Sequence, residues 1–269
     1  MSREPATGPS SALVTLSFDD GHPLDLRLAE MLTRHGFGAT FYVPLTNVEG
    51  LPVMTSAQIR ELYGAGFEIG SHTLSHCYLT RVDELTASTQ IGEGKSRLED
   101  ALGEAVPGFC YPGGRYRPIH ADLVRKAGFL YARTITNFHA DVGENPYAIP
   151  VSIQLYPHPR DVYLRNFVRR GAWTQRARML LVALAQGELL ARLKALFDVA
   201  QRTHGVFHLW GHSWELEEFN GWSVLDEFLR YAAQSLPPER HLTNLGVLRQ
   251  RQVLEPFSAR SPMTECALP

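Results

Sequence analysis

The chain has 269 residues, 44% of them hydrophobic, which suffices to bury one full core. No Pro/Ser-rich linker divides it, so a single catalytic domain over 1–269 is expected. A formal net charge of −2 with scattered Lys and Arg offers no basic field and excludes nucleic acid as a partner. Three cysteines, Cys77, Cys110 and Cys266, are far apart and odd in number, so no disulfide framework is expected and a reducing compartment fits. No apolar stretch reaches the ~18 residues of a membrane span. Residues 1–11 do not read as an export signal, so a cytoplasmic protein is expected.

In chain order, the apolar run Leu13–Phe18 reads as a strand ending at adjacent carboxylates, Asp19 and Asp20. By itself, Asp-Asp-Gly after a strand is ordinary turn chemistry. Leu26, Leu28 and Leu32 predict a helix over Asp25–His35, closed by Gly36, and Ala39–Val43 reads as the second strand. Thr55 to Gln58 opens a helix through Tyr63 that stops at Gly64 to Gly66. The next strand, 67–71, delivers His72-Thr73-Leu74-Ser75-His76. Two histidines four residues apart project to one side of a helical turn, where their nitrogens can meet one ion. With 11 histidines in the chain the pair alone is a weak signal, and a plain surface or core pair is the competing reading. Placement favours the site: both the acidic pair and the histidines lie at strand exits, where active sites collect in alternating folds.

Further on, a helix is predicted over 83–102, a strand over 108–112, a helix over 120–127 ending at Gly128, and a strand over 129–136. Residues 205–210 are strand-like and 224–234 have helical periodicity. This alternation argues for a parallel sheet, open or closed into a barrel. The stretch 157–204 departs from the rhythm: it is mainly helical and carries Arg160, Arg165, Arg169, Arg170, Arg176 and Arg178 before an apolar run. It reads as an insertion, either resting on an anionic membrane or a lipid-linked phosphate, or simply presenting solvated arginines beside a core stripe.

Two imidazoles and one carboxylate can hold a divalent transition metal while leaving positions open for water and substrate, and a second carboxylate can take a proton from that water. Hydrolysis is the chemistry this pattern suggests. Cys77 beside His76 reads as packing, since a carboxylate already completes the set.

Ser17-Phe18-Asp19-Asp20-Gly21, His72-Thr73-Leu74-Ser75-His76 and Phe109-Cys110-Tyr111-Pro112-Gly113-Gly114, in this order, resemble the first three motifs of the polysaccharide deacetylases, the NodB-homology or carbohydrate esterase family four. The resemblance implies a distorted (β/α) barrel over about 12–236, with the helical insertion at about 157–204 before the last strand and a C-terminal tail at 237–269. It also implies removal of an N- or O-acyl group from a sugar with zinc, or with cobalt, nickel, manganese or iron in its place. Carried over by motif, Asp20, His72 and His76 are the metal ligands, Asp19 is the base, and the Gly113 backbone N–H faces the oxyanion. The family usually has an arginine where this chain has Cys110; Arg133 is the candidate to supply that charge, beside the plain reading of a structural ion pair. The last motif's acid falls on His212, just past the strand, and His208 within the strand reads as structural. The acidic residue orienting that histidine has only one weak candidate, Asp141.

Other readings remain beside this one. Two histidines and a carboxylate also make the facial triad of non-haem iron oxygenases, although that chemistry has no evident use for Asp19 and its jelly roll differs from this alternation. A non-catalytic carbohydrate-binding relative would use Trp210, Trp214 and Trp222 to stack on sugars, but all four residues Asp19, Asp20, His72 and His76 are retained. A small non-sugar amide is a further substrate class on this fold. The expected partner is an intracellular acylated sugar, glycolipid or glycosylated metabolite, with peripheral contact at the inner membrane face through 157–204.

Overall fold

The computed structural model describes residues 12–254. The expectations for residues 1–11, Cys266 and the last part of the tail lie outside the described residues. The strands are β1 (Leu13–Phe18), β2 (Ala39–Val43), β3 (Glu68–Ser71), β4 (Gly108–Cys110), β5 (Tyr131–Arg133), β6 (Ile153–Gln154), β7 (Val206–Gly211) and β8 (His241–Leu242). Between and after them run α1 (Asp25–His35), α2 (Ser56–Gly64), α3 (Glu84–Leu102), α4 (Pro118–Lys126), α5 (Arg160–Arg170), α6 (Trp173–Ala185), α7 (Leu189–Arg202), α8 (Ser213–Glu218), α9 (Trp222–Ser235) and α10 (Asn244–Gln250).

The strands pair in the order β5-β4-β3-β2-β1-β7-β6, with β8 added against β1, and every pairing is parallel. A parallel bridge from Arg133 to Ile149 ties β5 to the segment that leads into β6, so the two ends of the path approach each other and the sheet curls as a (β/α) barrel does. All six residues of β1 are buried, as expected of a parallel strand covered on both faces. Because the strands are parallel, their C-terminal ends share one rim. Asp19 and Asp20 follow β1, His72 follows β3, and His212 follows β7 on that rim.

Local chemistry accounts for the element boundaries. Gly36 closes α1 at φ 72°, a left-handed conformation that costs glycine little, and its N–H returns to Leu32 and Thr33 carbonyls. Thr55 and Gln58 form a reciprocal capping box at the start of α2. α4 begins two residues before the expected start because Pro118 fits the first helical position, where its missing N–H is no loss. The expected strand 129–136 is only three residues long. Past Arg133 the chain turns to the 149–151 segment, with Thr134 N–H donating to the Ile149 carbonyl.

The stretch 157–204 is helical as expected, forming α5, α6 and α7. Its arginines do not form one solvated face. Arg176 is buried and donates to the carbonyls of Asn137, Phe167 and Gly171. Residues after 236, read from sequence as a tail, carry β8 and α10 through residue 250. Among the described residues no helix is long and apolar enough to cross a membrane.

Candidate active site

The rim opens into a cavity of about 300 Å³ whose walls include Asp19, Asp20, His72, His76, Gly113 and His212. These residues arrive from four strand exits, those of β1, β3, β4 and β7, so the site exists only once the sheet has formed. The histidine pair is not on a helix, contrary to the helical spacing assumed from sequence. His72 follows β3, residues 73–75 form a turn, and Thr73 in it and His76 after it take positive φ values of 66° and 58°. That turn still directs both rings inward, with centroids 5.0 Å apart.

His76 Nε2 lies 3.2 Å and His72 Nε2 3.7 Å from Asp20 Oδ1. The three side chains each offer a ligand atom within 4.8 Å of the others, and all are buried. Asp20 Oδ1 is a buried oxygen with no hydrogen-bond donor, which a bound cation would satisfy. Asp20 Oδ2 accepts from Trp214 Nε1 at 3.0 Å, and His72 Nδ1 lies 2.8 Å from the Cys110 carbonyl, so the outer atoms are oriented by neighbours. Burial, which would raise a carboxyl pKa, is outweighed at Asp20 by His76, His212 and His72, and the group sits well below the usual carboxylate range. Burial pushes the His72 pKa down to about 4, against the pull of Asp19 and Asp20, so its ring is neutral near pH 7. An ionised carboxylate and a neutral imidazole are the forms that bind metal, and this donor set fits a divalent ion.

Asp19 also offers an oxygen within 4.8 Å of ligand atoms on His72 and Cys110, but its direct partners differ from those of Asp20. Arg133, fully buried at the end of β5, pairs with its Oδ1, and the Cys110 thiol stands 3.6 Å from its Oδ2. Cys110 and Arg133 are register partners across β4 and β5, so the guanidinium reaches Asp19 from the strand next to Cys110. Arg133 is sandwiched by Tyr42 and Trp210, with its Cζ 5.1 and 5.2 Å from their ring centroids. Burial works against the charge of Arg133, but Asp19 more than restores it and the pKa rises.

His212 Nε2 points into the cavity 3.8 Å from Asp20 Oδ2, and its Nδ1 lies 2.7 Å from Glu215 Oε2. Burial alone would lower the His212 pKa; the Glu215 hydrogen bond and the Asp20 and Asp19 charges raise it to about 9. Glu215 is in turn held by Gln154 Nε2 at 3.1 and 3.2 Å. Glu215, not Asp141, therefore orients this histidine. Asp141 accepts from Gly143 N–H and faces His139 beside a separate cavity lined by Gly205 and Val206, at the opposite end of β7. The spacing His212 to Glu215 at the opening of a helix was a signal available in the sequence. Glu49, 3.0 Å from His76 Nδ1, comes from a loop and had none.

Other sequence candidates fall as follows. His208 is buried within β7, its Nε2 2.8 Å from Ser17 Oγ, away from the cavity. Gly113 lies on the cavity wall at φ 59°, and a Cβ there would come 2.6 Å from Tyr78 Cε1, so both its conformation and its space call for glycine. Of the three tryptophans, Trp210 and Trp214 line the cavity. Trp222 instead packs under Arg27 and donates to Glu217.

Residues 7–132 match the family model described as polysaccharide deacetylase. A peptidoglycan-N-acetylglucosamine deacetylase of Bacillus cereus is 33% identical over 109 residues, covering 39% of this chain and 38% of that protein. The chain spans about half or less of the length of such curated relatives. Among solved structures, Puue allantoinase superposes with a TM-score of 0.66 at 16% identity, covering 96% of each chain. A family 4 acetyl xylan esterase from Clostridium thermocellum, in complex with a cobalt ion, does so with a TM-score of 0.54 at 17% identity, covering 89% of this chain and 92% of that one. The two structures share the fold. The three motifs read from the sequence all lie within the stretch that matches this family model.

Proposed function

We propose that the chain is a metal-dependent hydrolase that removes an N-acyl group, chiefly N-acetyl, from a sugar or glycoconjugate. The observation that carries this is the different partnering of the two neighbouring aspartates: Asp20 faces His72 and His76, whereas Asp19 is paired with Arg133. Asp20, His72 and His76 would hold a divalent ion, with zinc the best match to the donor set, and such an ion supplies an acidified water and polarises the acyl carbonyl. The deacetylase names of the curated relatives support the reaction class.

Asp19 accepts the proton of the attacking water, its carboxylate held on the cavity wall by the Arg133 pairing. The water oxygen adds to the acyl carbon, and the Gly113 N–H is the backbone donor facing the developing oxyanion. His212, held protonated by Glu215, donates to the amide nitrogen as the C–N bond breaks. The products are a carboxylate and a free amine.

The test is acetate and formate release by zinc- or cobalt-loaded protein against N-acetylated chitooligosaccharides, nucleotide sugars, glycolipids and small non-sugar amides. Asp19→Asn should abolish turnover, by about a thousandfold or more, while metal content stays near that of the parent. Undiminished turnover in that variant would overturn the assignment of the base.

A further inference from the structure

At the edge of the active-site cavity stands Tyr78, next to Gly113. Around it is a group of arginines that the chemistry above does not use. Arg81 Cζ lies 4.6 Å and Arg115 Cζ 5.6 Å from the Tyr78 ring centroid. Arg117 Nη2 donates to the Thr80 carbonyl at 3.3 Å, beside Arg81, and Arg170 Nη1 donates to the Gly114 carbonyl at 3.0 Å. These four come from three separate parts of the chain: the turn after the histidine motif, the loop after Gly113-Gly114, and the end of α5.

None of the four forms an ion pair with a carboxylate among the described residues, in contrast to Arg27, Arg97, Arg125, Arg165 and Arg230 elsewhere on the surface. Glu49, the carboxylate on this rim, is engaged with His76 Nδ1. Burial lowers the Arg170 pKa, Tyr116 opposes, and the nearby Arg115 charge lowers it further, which places those two guanidiniums within each other's field. Gathering like charges costs Coulomb energy that an anion placed among them would reverse. Guanidinium forks match the oxygens of a phosphate, and a phosphate has enough acceptors for several of them at once.

We propose that this rim binds a phosphate carried by the acylated substrate itself, so that the favoured substrate is a phosphorylated N-acyl sugar rather than a neutral glycan. The inference rests on the deacylase reading for the identity of the sugar, but its test does not require turnover.

Binding of N-acetylglucosamine 1-phosphate, N-acetylglucosamine and inorganic phosphate to metal-loaded Asp19→Asn protein is compared by calorimetry at low and high ionic strength. The sugar phosphate should bind about tenfold or more tightly than either fragment, and the advantage should shrink in high salt. Arg81→Gln with Arg115→Gln should remove most of that advantage; both residues are exposed, with their guanidiniums beside the Tyr78 ring, so the fold should survive, as circular dichroism would verify. Equal binding of the phosphorylated and neutral sugars would overturn the proposal. Inorganic phosphate binding as tightly as the sugar phosphate would overturn it too, as would capture by phosphatidylglycerol vesicles without sugar-phosphate preference. If the sugar phosphate binds as expected but the parent protein releases no acetate from any substrate, the deacylase reading fails and the phosphate site stands.

Discussion

Asp19 and Asp20 are adjacent in the chain yet have opposite neighbours, because a turn at the strand end sends one side chain towards β5 and the other towards the histidine turn. Asp20 has φ 75°, and this left-handed residue makes the divergence. Replacing Arg133 with Met should leave the Asp19 carboxylate buried without its counter-charge, at a cost of about 3–5 kcal/mol, seen as a large fall in the urea midpoint. Glu215→Gln tests the other half of the site. An acid must be protonated to act, so a rate that depends on His212 should hold up to about pH 9 and fall above it. Removing the Glu215 charge should move that alkaline fall to lower pH, and a pH profile of kcat/KM with an unmoved limb would assign the limb to another group. The motif residues were legible because their types and spacing carry the chemistry. Arg133 was legible only as a candidate, since its reach to Asp19 depends on β4–β5 register, and Glu215 was missed because its value depends on where β7 points His212.

At the level of elements, the histidine turn depends on α3. The Leu74 N–H donates to the Gln90 carbonyl, the Gln90 side chain holds Ser75, and Gly94 lets the helix come close to the turn's backbone. A Cβ on Gly94 would lie 2.9 Å from both Leu74 N and the Thr73 carbonyl carbon. Gly→Ala within a helix ordinarily stabilises by about 0.5–1 kcal/mol. Here overpacking against backbone, at about 1–3 kcal/mol, should win, so Gly94→Ala should lower Tm and weaken metal binding together. A raised Tm with unchanged metal affinity would mean that α3 does not set the turn. The sequence could not separate this turn from a helical one, because two histidines at i and i+4 can converge in either. The paired ends of helices were clearer, since Gly36 and the Thr55–Gln58 box act locally. Helix starts that depend on proline, and strand ends that depend on a neighbouring strand, were read less well.

Over the whole molecule, alternating strands and helices revealed the parallel sheet and the motif resemblance its closure into a barrel, but neither revealed what closes its lower end. Residues after 236 have too little periodicity to declare themselves, yet β8 pairs with β1, and Asn244 links Thr15 of β1 with Thr40 and Tyr42 of β2. The opposite rim is where the sheet concentrates cost: buried Asp20 and its two histidines are brought together by folding, with one carboxylate oxygen left without a donor. A ligand that binds only the assembled site adds its binding energy to the stability of the whole barrel. Zinc or cobalt at about a hundred times its dissociation constant should therefore contribute about 2.7 kcal/mol. For a chain of this size that corresponds to a rise in Tm of about 5–10 °C, reversed by a chelator. His72→Ala should show little of this shift, because the remaining carboxylate and imidazole bind far more weakly. Asp19→Asn should retain it, since its side chain pairs with Arg133. An equal metal-induced shift in the parent and His72→Ala proteins would locate the ion elsewhere and remove the structural basis for the division of labour between the two aspartates.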